Sequence, residues 1–393
     1  MKIYEIGTGY TPIPAQMGAA TEIVVEELTR SLIKNGEDAE IIDIKAQQRG
    51  KLEIPLTEVN VPSMFTKTDV SLGLVHKLKR VVYSLALAKK LKKIIKTQSQ
   101  SGQKIVLHFH NQYNLYFFLK TVSKKLRAKV TTAYTVHSYI WSGAWEEIEN
   151  TVRKKYFQEI YCLQNADMVF ALNDISAEKF VKYFNADKTK IHLIANGVNV
   201  ERYAPLPQQK VEELKAQNGL TGKKVVFQVG SVCERKNQMG TLQMLCDYLK
   251  TNGDVVYMYA GGIIDNEYKQ KIDDFAAQNN IAEQVKYAGE LTPGKQLNEY
   301  YNIADCCAFT STLEAFSLVI IEAVAAGVPL IVGDNLRFDL SGGYTVFNTP
   351  QDFAQQVDSV LKNGRQSTQG RQQVINDNSW DAVAKIYKDF FEI

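Results

Sequence analysis

The stretch Thr310 to Asp334, T-S-T-L-E-A-F-S-L-V-I-I-E-A-V-A-A-G-V-P-L-I-V-G-D, constrains the fold more than any other part of the chain. The apolar run Cys306 to Phe309 predicts a short buried strand just before it and Ser317 to Ala326 a helix; Gly327 and Pro329 stop that helix, and Leu330 to Val332 is the next strand. Such a βαβ unit requires a parallel sheet covered by helices. Two carboxylates are oddly placed in it: Glu314 in the loop before the helix, and Glu322 within an otherwise apolar segment. Neither belongs in a packed core unless paired. Eight residues of helix rise about 12 Å, and with the loop folded back the carboxylates stand about one nucleoside diphosphate apart. Between them lies a helix N-terminus whose N–H groups at Ser317, Leu318 and Val319 would bind a phosphate. Capping and surface roles for the two glutamates fit the spacing equally well, so other parts of the chain have to decide.

A length of 393 residues exceeds one ordinary core, and two domains are expected. Hydrophobic content of 45% with 23% charged residues is that of a globular enzyme. No run of 18 apolar residues occurs, and Met1 to Ile6 lead into a strand pattern, which points to a cytoplasmic location. Cys162, Cys233, Cys246, Cys306 and Cys307 lack C-x-x-C spacing and read as reduced thiols, not as a zinc site. The net charge of +3 hides an asymmetry: 28 Lys and Arg face 19 Asp and Glu up to Ala195, and 18 face 24 beyond it, so the halves carry about +9 and −6. Between Asp69 and Glu146 there is no acid, but there are 14 basic residues. One face of the first half must be basic; no nucleic-acid partner is expected.

Lys2 to Gly7 predicts a strand, Gly18 to Lys34 a helix and Ala39 to Ile44 a second strand. This is a Rossmann-like opening, yet Gly7-Thr8-Gly9-Tyr10-Thr11-Pro12 is not G-x-G-x-x-G, and a dinucleotide is poorly supported. Lys51 to Thr68, with Pro55, Pro62 and Ser63, reads as irregular. Ser71 to Lys96 predicts a long helix with Leu74, Leu78, Val81, Leu85 and Ile95 on one face and most of its lysines elsewhere. With Lys120, Lys124, Lys125, Arg127 and Lys129 on a second basic helix, the 71–129 region suits peripheral contact with anionic lipid headgroups as well as it suits solvated helix faces. Lys104 to His110 and Val130 to His137 are strands ending in histidines, where a parallel sheet faces its ligand crevice. His108 and His110 share a face, but no third ligand is apparent nearby and no metal is expected there. Trp141 and Trp145 follow, either as walls of an acceptor site or as cover for the core.

Glu146 to Leu163 and Ile175 to Phe184 predict helices, and Met168 to Asn173 and Lys190 to Ala195 strands. After Asn196-Gly197-Val198, the polar, proline-bearing stretch Arg202 to Asn218 marks the interdomain boundary. Strand and helix alternation then restarts at Lys223, so two doubly wound domains with a cleft between them are expected. The turn Gly230-Ser231-Val232-Cys233-Glu234-Arg235-Lys236-Asn237 leaves the first strand of the second domain. Cations at the start of a helix are unfavourable without an anion, and Arg is built for bidentate phosphate contact. Gly261-Gly262 and Gly289-Glu290-Leu291 mark the next two strand ends, and Trp380 to Phe391 closes the chain as an amphipathic helix.

The E-x7-E pair Glu314 and Glu322, with G-x5-K-N at Gly230 to Asn237, resembles the signature of the family 4 retaining glycosyltransferases of the GT-B fold. The resemblance implies an α/β protein of two Rossmann-like domains facing a cleft: 1–199 on the acceptor side, 200–375 binding the nucleotide sugar, and 376–393 a helix crossing back. It also implies roles. Glu314 lies beside the transferred sugar, Glu322 on the ribose, Arg235 and Lys236 on the diphosphate, and His137 of T-V-H on the donor sugar's hydroxyls. Gly18 ends the first loop, Gly262 approaches the nucleotide, Leu291 lies where the base sits, and Ser317, Leu318 and Val319 meet the phosphate. The family commonly has Gly at Ala315 and Ser317, and many relatives have Gly-Gly where this chain has Gly18-Ala19-Ala20.

The implied reaction moves a hexose or N-acetylhexosamine from a nucleoside diphosphate, UDP being the commoner, to a glycan, glycolipid or polysaccharide precursor. No D-x-D triplet occurs, so neither a cofactor nor a metal is expected, and Arg235 with Lys236 would take a cation's electrostatic role. A catalytically silent partner of an active transferase, or a nucleotide-sugar epimerase, would share the fold. A silent copy has no physical need for the four charged side chains.

Overall fold

The structure is a computed structural model, and it describes residues 1–14, 19–65, 74–100, 102–143, 153–336, 343–364 and 369–393. Gly18, Trp145 and the 146–152 part of the helix expected from Glu146 lie outside the described residues. The chain divides into two compact units, Met1–Gly197 with Trp380–Ile393, and Val198–Ser379.

The first unit is built on seven strands: β1 (Lys2–Ile6), β2 (Asp38–Ile44), β3 (Leu56–Val59), β4 (Ile105–Phe109), β5 (Thr131–Val136), β6 (Met168–Ala171) and β7 (Ile191–Leu193). All pair in parallel in the order β3-β2-β1-β4-β5-β6-β7. Central parallel strands are covered on both faces, which is why β4, I-V-L-H-F, is buried at every position. The register sets Glu5 of β1 directly opposite His108 of β4. The closing helix Trp380–Glu392 buries Trp380, Val383, Ala384, Tyr387 and Phe391 in this unit. The Tyr387 ring packs 4.8 Å from Phe170 and 5.1 Å from His108. Lys388 pairs with Glu37 at 2.7 Å beside the first helix, Ala20–Lys34. Gly197 is required under Trp380, since a Cβ there would stand 2.4 Å from the indole.

The second unit carries β8 (Lys224–Val229), β9 (Val255–Ala260), β10 (Val285–Tyr287), β11 (Cys306–Phe309), β12 (Leu330–Gly333) and β13 (Tyr344–Phe347). They are parallel, in the order β10-β9-β8-β11-β12-β13. The strand order reverses at β8, which makes β8 and its neighbour β11 a topological switch point, the place where ligands bind in α/β sheets.

Four expectations need correction. Within the stretch read as irregular, Leu56–Val59 pairs with β2 as an edge strand; it is four residues long and carries polar Thr57 and Glu58, so its turn-rich flanks dominate the pattern. The stretch Arg202 to Asn218 is not a boundary, because the division falls at Gly197 and Val198, and Gln208–Gln217 is a helix started behind Pro207. The long helix, Leu74–Gln98, turns a different face inward. Leu78 and Leu85 are 53% and 43% exposed, whereas Tyr83, Leu87, Leu91 and Ile95 form the buried i, i+4 row. Beyond β12, the strand Tyr344–Phe347 and the helices Pro350–Asn363 and Gln369–Asp377 were not expected. All five cysteines are among the described residues and are thiols outside any disulfide, and four of them are buried.

Candidate active site

In the second unit the turns after β8, β9 and β10 are laced together. Gly230 N–H donates to Ala260 O at 2.9 Å, Gly261 N–H to Gly289 O at 2.8 Å, and Val232 N–H to Gly262 O at 2.9 Å. Gly261, at φ +139°, lies so close to Gly230 that a Cβ would stand 2.2 Å from its carbonyl oxygen. A Cβ on Gly262 would stand 3.3 Å from the exposed Glu290 carboxylate, with Leu291 buried next in the chain. Gly262 and Leu291 thus line adjoining strand ends.

Because β8 and β11 are neighbours in the sheet, the loops that follow them meet. Thr312 N–H donates to Arg235 O at 2.9 Å, Asn237 Nδ2 to Thr310 O at 3.2 Å, and Gln228 Nε2 to Lys236 O at 2.7 Å. These bonds bring three charged side chains to one atom. Glu314 Oε1 accepts from Arg235 Nη1 at 2.7 Å and from Lys236 Nζ at 2.6 Å, with side chains 10%, 29% and 12% exposed respectively. Arg235 Nη1 also donates to Leu313 O at 3.1 Å. The helix Leu318–Ala325 starts after extended, buried Ser317, and no side chain caps it. Its first N–H groups, with those cations, make an electropositive end suited to an anion.

Glu322 sits on the same helix, and burial raises its carboxyl to about pH 7. Tyr301 Oη donates to its Oε2 at 2.9 Å. Tyr203 is a second hydroxyl partner, and since Tyr203 Oη itself accepts from Gly294 N–H at 3.0 Å, its own proton is left for the carboxylate. Each glutamate therefore has protein partners. Neither Tyr203 nor Tyr301 stands out in the sequence, and both are buried.

In the first unit, His137 follows β5, and its Nε2 lies 3.0 Å from His110 Nδ1. His110 Nε2 meets Glu5 Oε2 at 2.7 Å, and His108 Nδ1 meets Glu5 Oε1 at 3.0 Å. The third group that the sequence did not reveal is Glu5, wholly buried and brought beside the histidines by strand register. The ligand atoms of Glu5, His108 and His110 lie within 4.8 Å of one another, close enough for a cation, but each is hydrogen-bonded to another member. Burial pushes the Glu5 carboxyl up, and the two histidines outweigh it and hold it down to about 2. Burial, then the charge of His108, lowers His110 to about 4 against the pull of Glu5. His137 is held well below its ordinary value by burial and both other histidines. Trp141 is core, packed 4.7 Å from Phe184.

Comparison with known proteins identifies the family and the fold. A family model described as "Glycosyltransferase Family 4" matches residues 21–202, and "Glycosyl transferases group 1" matches residues 210–377. The chain belongs to glycosyltransferase family 4. It is 23% identical to spore coat protein SA of Bacillus subtilis, over 100% of this chain and 99% of that protein. It is also 23% identical to alpha-monoglucosyldiacylglycerol synthase of Streptococcus pneumoniae, over 58% of this chain and 52% of the synthase. Among solved structures, Anabaena HepE in complex with UDP and glucose superposes with a TM-score of 0.72 at 15% identity, covering 100% and 99% of the two chains. Sucrose-phosphate synthase of Thermosynechococcus elongatus gives 0.74 at 18%, with the same coverage. The fold of this glycosyltransferase is GT-B, with two Rossmann-like domains.

The raised carboxyl of Glu322 has a measurable consequence for this family 4 chain. An acid whose folded value lies near 7 against about 4.5 unfolded holds more protons folded than unfolded between those values, so stability is lost as pH rises through that window. Glu322→Gln, which cannot ionise, is expected to match wild type in Tm at pH 5 and to exceed it by a few degrees at pH 8. Equal melting temperatures at both values would show Glu322 to be ionised at no cost. Buried Glu159, also raised to about 7 and bonded by Tyr134 Oη at 3.1 Å, imposes the same trend on both proteins and cancels in the comparison.

Proposed function

We propose that this glycosyltransferase retains the anomeric configuration of its donor, moving a hexose or N-acetylhexosamine from a nucleoside diphosphate, UDP by preference, to a glycan, glycolipid or polysaccharide precursor bound mainly by the first unit. The observation that carries the reading is the convergence of Arg235 and Lys236 on one carboxylate oxygen of Glu314, beside the uncapped start of the Leu318–Ala325 helix. The two cations and the helix N–H groups of Ser317, Leu318 and Val319 neutralise the departing diphosphate. Glu322 takes the ribose hydroxyls, Leu291 and Gly262 lie against the base and nucleotide, and His137 contacts the sugar. The anomeric carbon passes through an oxocarbenium-like state. Its bond to the phosphate oxygen breaks while a bond to the acceptor oxygen forms on the same face. The acceptor's proton goes to the departing phosphate oxygen. Glu314 positions the sugar and stabilises the developing positive charge without forming a covalent bond. Arg235 and Lys236 supply the charge that a divalent cation provides in other transferases, so no metal is needed.

Among the described residues no helix is long and apolar enough to cross a membrane. We extend the proposal to a cytoplasmic enzyme in peripheral contact with an anionic bilayer through the 71–129 region. Exposed Leu78 and Leu85 continue into exposed Lys89, Lys92, Lys93 and Lys96 on one helix, and one relative is by name a synthase of a glycosylated diacylglycerol.

One experiment addresses the whole reading. The protein is screened against nucleotide sugars for thermal stabilisation, and the one that binds is offered to acceptors with and without EDTA and vesicles of anionic phospholipid. Expected are stabilisation by UDP, a product of unchanged anomeric configuration, a rate indifferent to EDTA, and co-sedimentation with the vesicles. An inverted product, a rate abolished by EDTA and restored by magnesium, or protein left wholly in the supernatant would each remove the corresponding part.

A further inference from the structure

The reaction as drawn uses His137 but none of the buried groups behind it. Those groups form one hydrogen-bonded chain: Tyr387 Oη to Thr135 Oγ1 at 3.0 Å, Thr135 Oγ1 to His108 Nε2 at 2.8 Å, His108 and His110 to Glu5, and His110 to His137. We propose that Glu5, acting through His110, sets the tautomer of His137, so that the Nδ1 of His137 is a bare acceptor for a hydroxyl of the transferred sugar. The proposal rests on the reading of His137 as a sugar contact.

The argument is one of proton counting. An ionised carboxylate only accepts, so the two ring nitrogens that face Glu5, His108 Nδ1 and His110 Nε2, both carry hydrogen. A neutral imidazole carries one such hydrogen, which leaves His110 Nδ1 bare. That nitrogen stands 3.0 Å from His137 Nε2 and has to accept from it. The hydrogen of His137 is thereby committed to Nε2, and a lone pair remains on Nδ1. The low values of His110 and His137 keep both rings neutral at physiological pH, as the counting requires.

The sheet makes this arrangement rigid. Glu5 and His108 are register partners on adjacent strands, His110 lies two residues further on the same face, and the His108 and His110 rings are 4.1 Å apart. Thr135 and Tyr387 hold the far end of His108, so the imidazoles cannot rotate without breaking a bond in a buried, low-dielectric setting. Glu5 touches no substrate and acts as a positioning residue. The chemical consequence is selectivity: a site that presents only an acceptor takes a hydroxyl and rejects fluorine or an ether oxygen in its place.

The test is 15N spectroscopy of histidine-labelled full-length protein without ligand, with the His137 signals assigned from their loss in His137→Ala. Wild type should show His137 as the Nε2–H tautomer. Glu5→Gln replaces one of the two acceptors by a donor, so His110 is no longer obliged to carry its hydrogen on Nε2 and the Nδ1–H share of His137 should rise. The same substitution should lower kcat/KM for the donor about tenfold, the scale of one hydrogen bond, leave UDP affinity unchanged, and shrink the preference for the natural sugar over its deoxyfluoro analogue. An Nδ1–H tautomer in wild type overturns the relay whatever the kinetics of the Glu5 variant. An Nε2–H tautomer combined with donor kinetics unmoved by His137→Ala overturns the sugar contact instead, so the two failures are told apart.

Discussion

Glu314→Gln should slow sugar transfer strongly while leaving affinity for free nucleoside diphosphate at least as high as in wild type. The first half follows from the proposed role: a negative charge beside an oxocarbenium-like carbon is worth most in the transition state, and its loss should cost about 10²- to 10³-fold in kcat. The second half follows from geometry. Glu314 Oε1 accepts from both Arg235 and Lys236, at 2.7 and 2.6 Å. A diphosphate that uses the same cations has to compete with that carboxylate and is repelled by it as well. A neutral amide oxygen competes less and repels nothing, while the bond from Arg235 to Leu313 O at 3.1 Å keeps the guanidinium in place. Calorimetric titration with UDP should therefore show affinity unchanged or raised a few-fold. A tenfold loss would mean that Glu314 serves chiefly to position the two cations, and that it does not face the sugar.

Much of this was legible in the sequence, and the reasons for the gaps are specific. Strands such as β4 and β9 are buried on both faces, so they read as unbroken apolar runs whatever surrounds them. Arg235, Lys236 and Glu314 stood out because charges in tight turns at strand ends have few structural uses. That they meet at one oxygen was not legible, since the contact spans 79 residues and depends on β8 and β11 being sheet neighbours. Glu5 was missed for a related reason. A single acid in a five-residue strand looks like a solvent-facing position, and its partner His108 is 103 residues away. The Leu74–Gln98 helix failed differently. It is apolar around much of its circumference, so two rows, one through Leu78 and Leu85 and one through Tyr83, Leu87 and Leu91, fit the helical period, and only the sheet beneath selects between them.

The double variant Arg235→Ala with Lys236→Ala is expected to lose at least a hundredfold in affinity for UDP. Each cation offers a charge-assisted bond of about 1.5 to 3 kcal/mol, so two such bonds account for the loss. The structure adds a second contribution. Glu314 is only 10% exposed, and once both partners are gone its carboxylate is left uncompensated next to the place proposed for the phosphates. The measured loss thus mixes missing attraction with new repulsion. Adding Glu314→Gln to the double variant separates them, because it removes the repulsion without restoring either cation. The triple variant should recover part of the affinity, by several-fold, while remaining well below wild type, and a Tm close to that of the double variant would show that refolding is not the cause. Affinity unchanged in the double variant would remove the diphosphate from Arg235 and Lys236 altogether. No recovery in the triple variant would show that Glu314 turns away from the anion once its partners are lost.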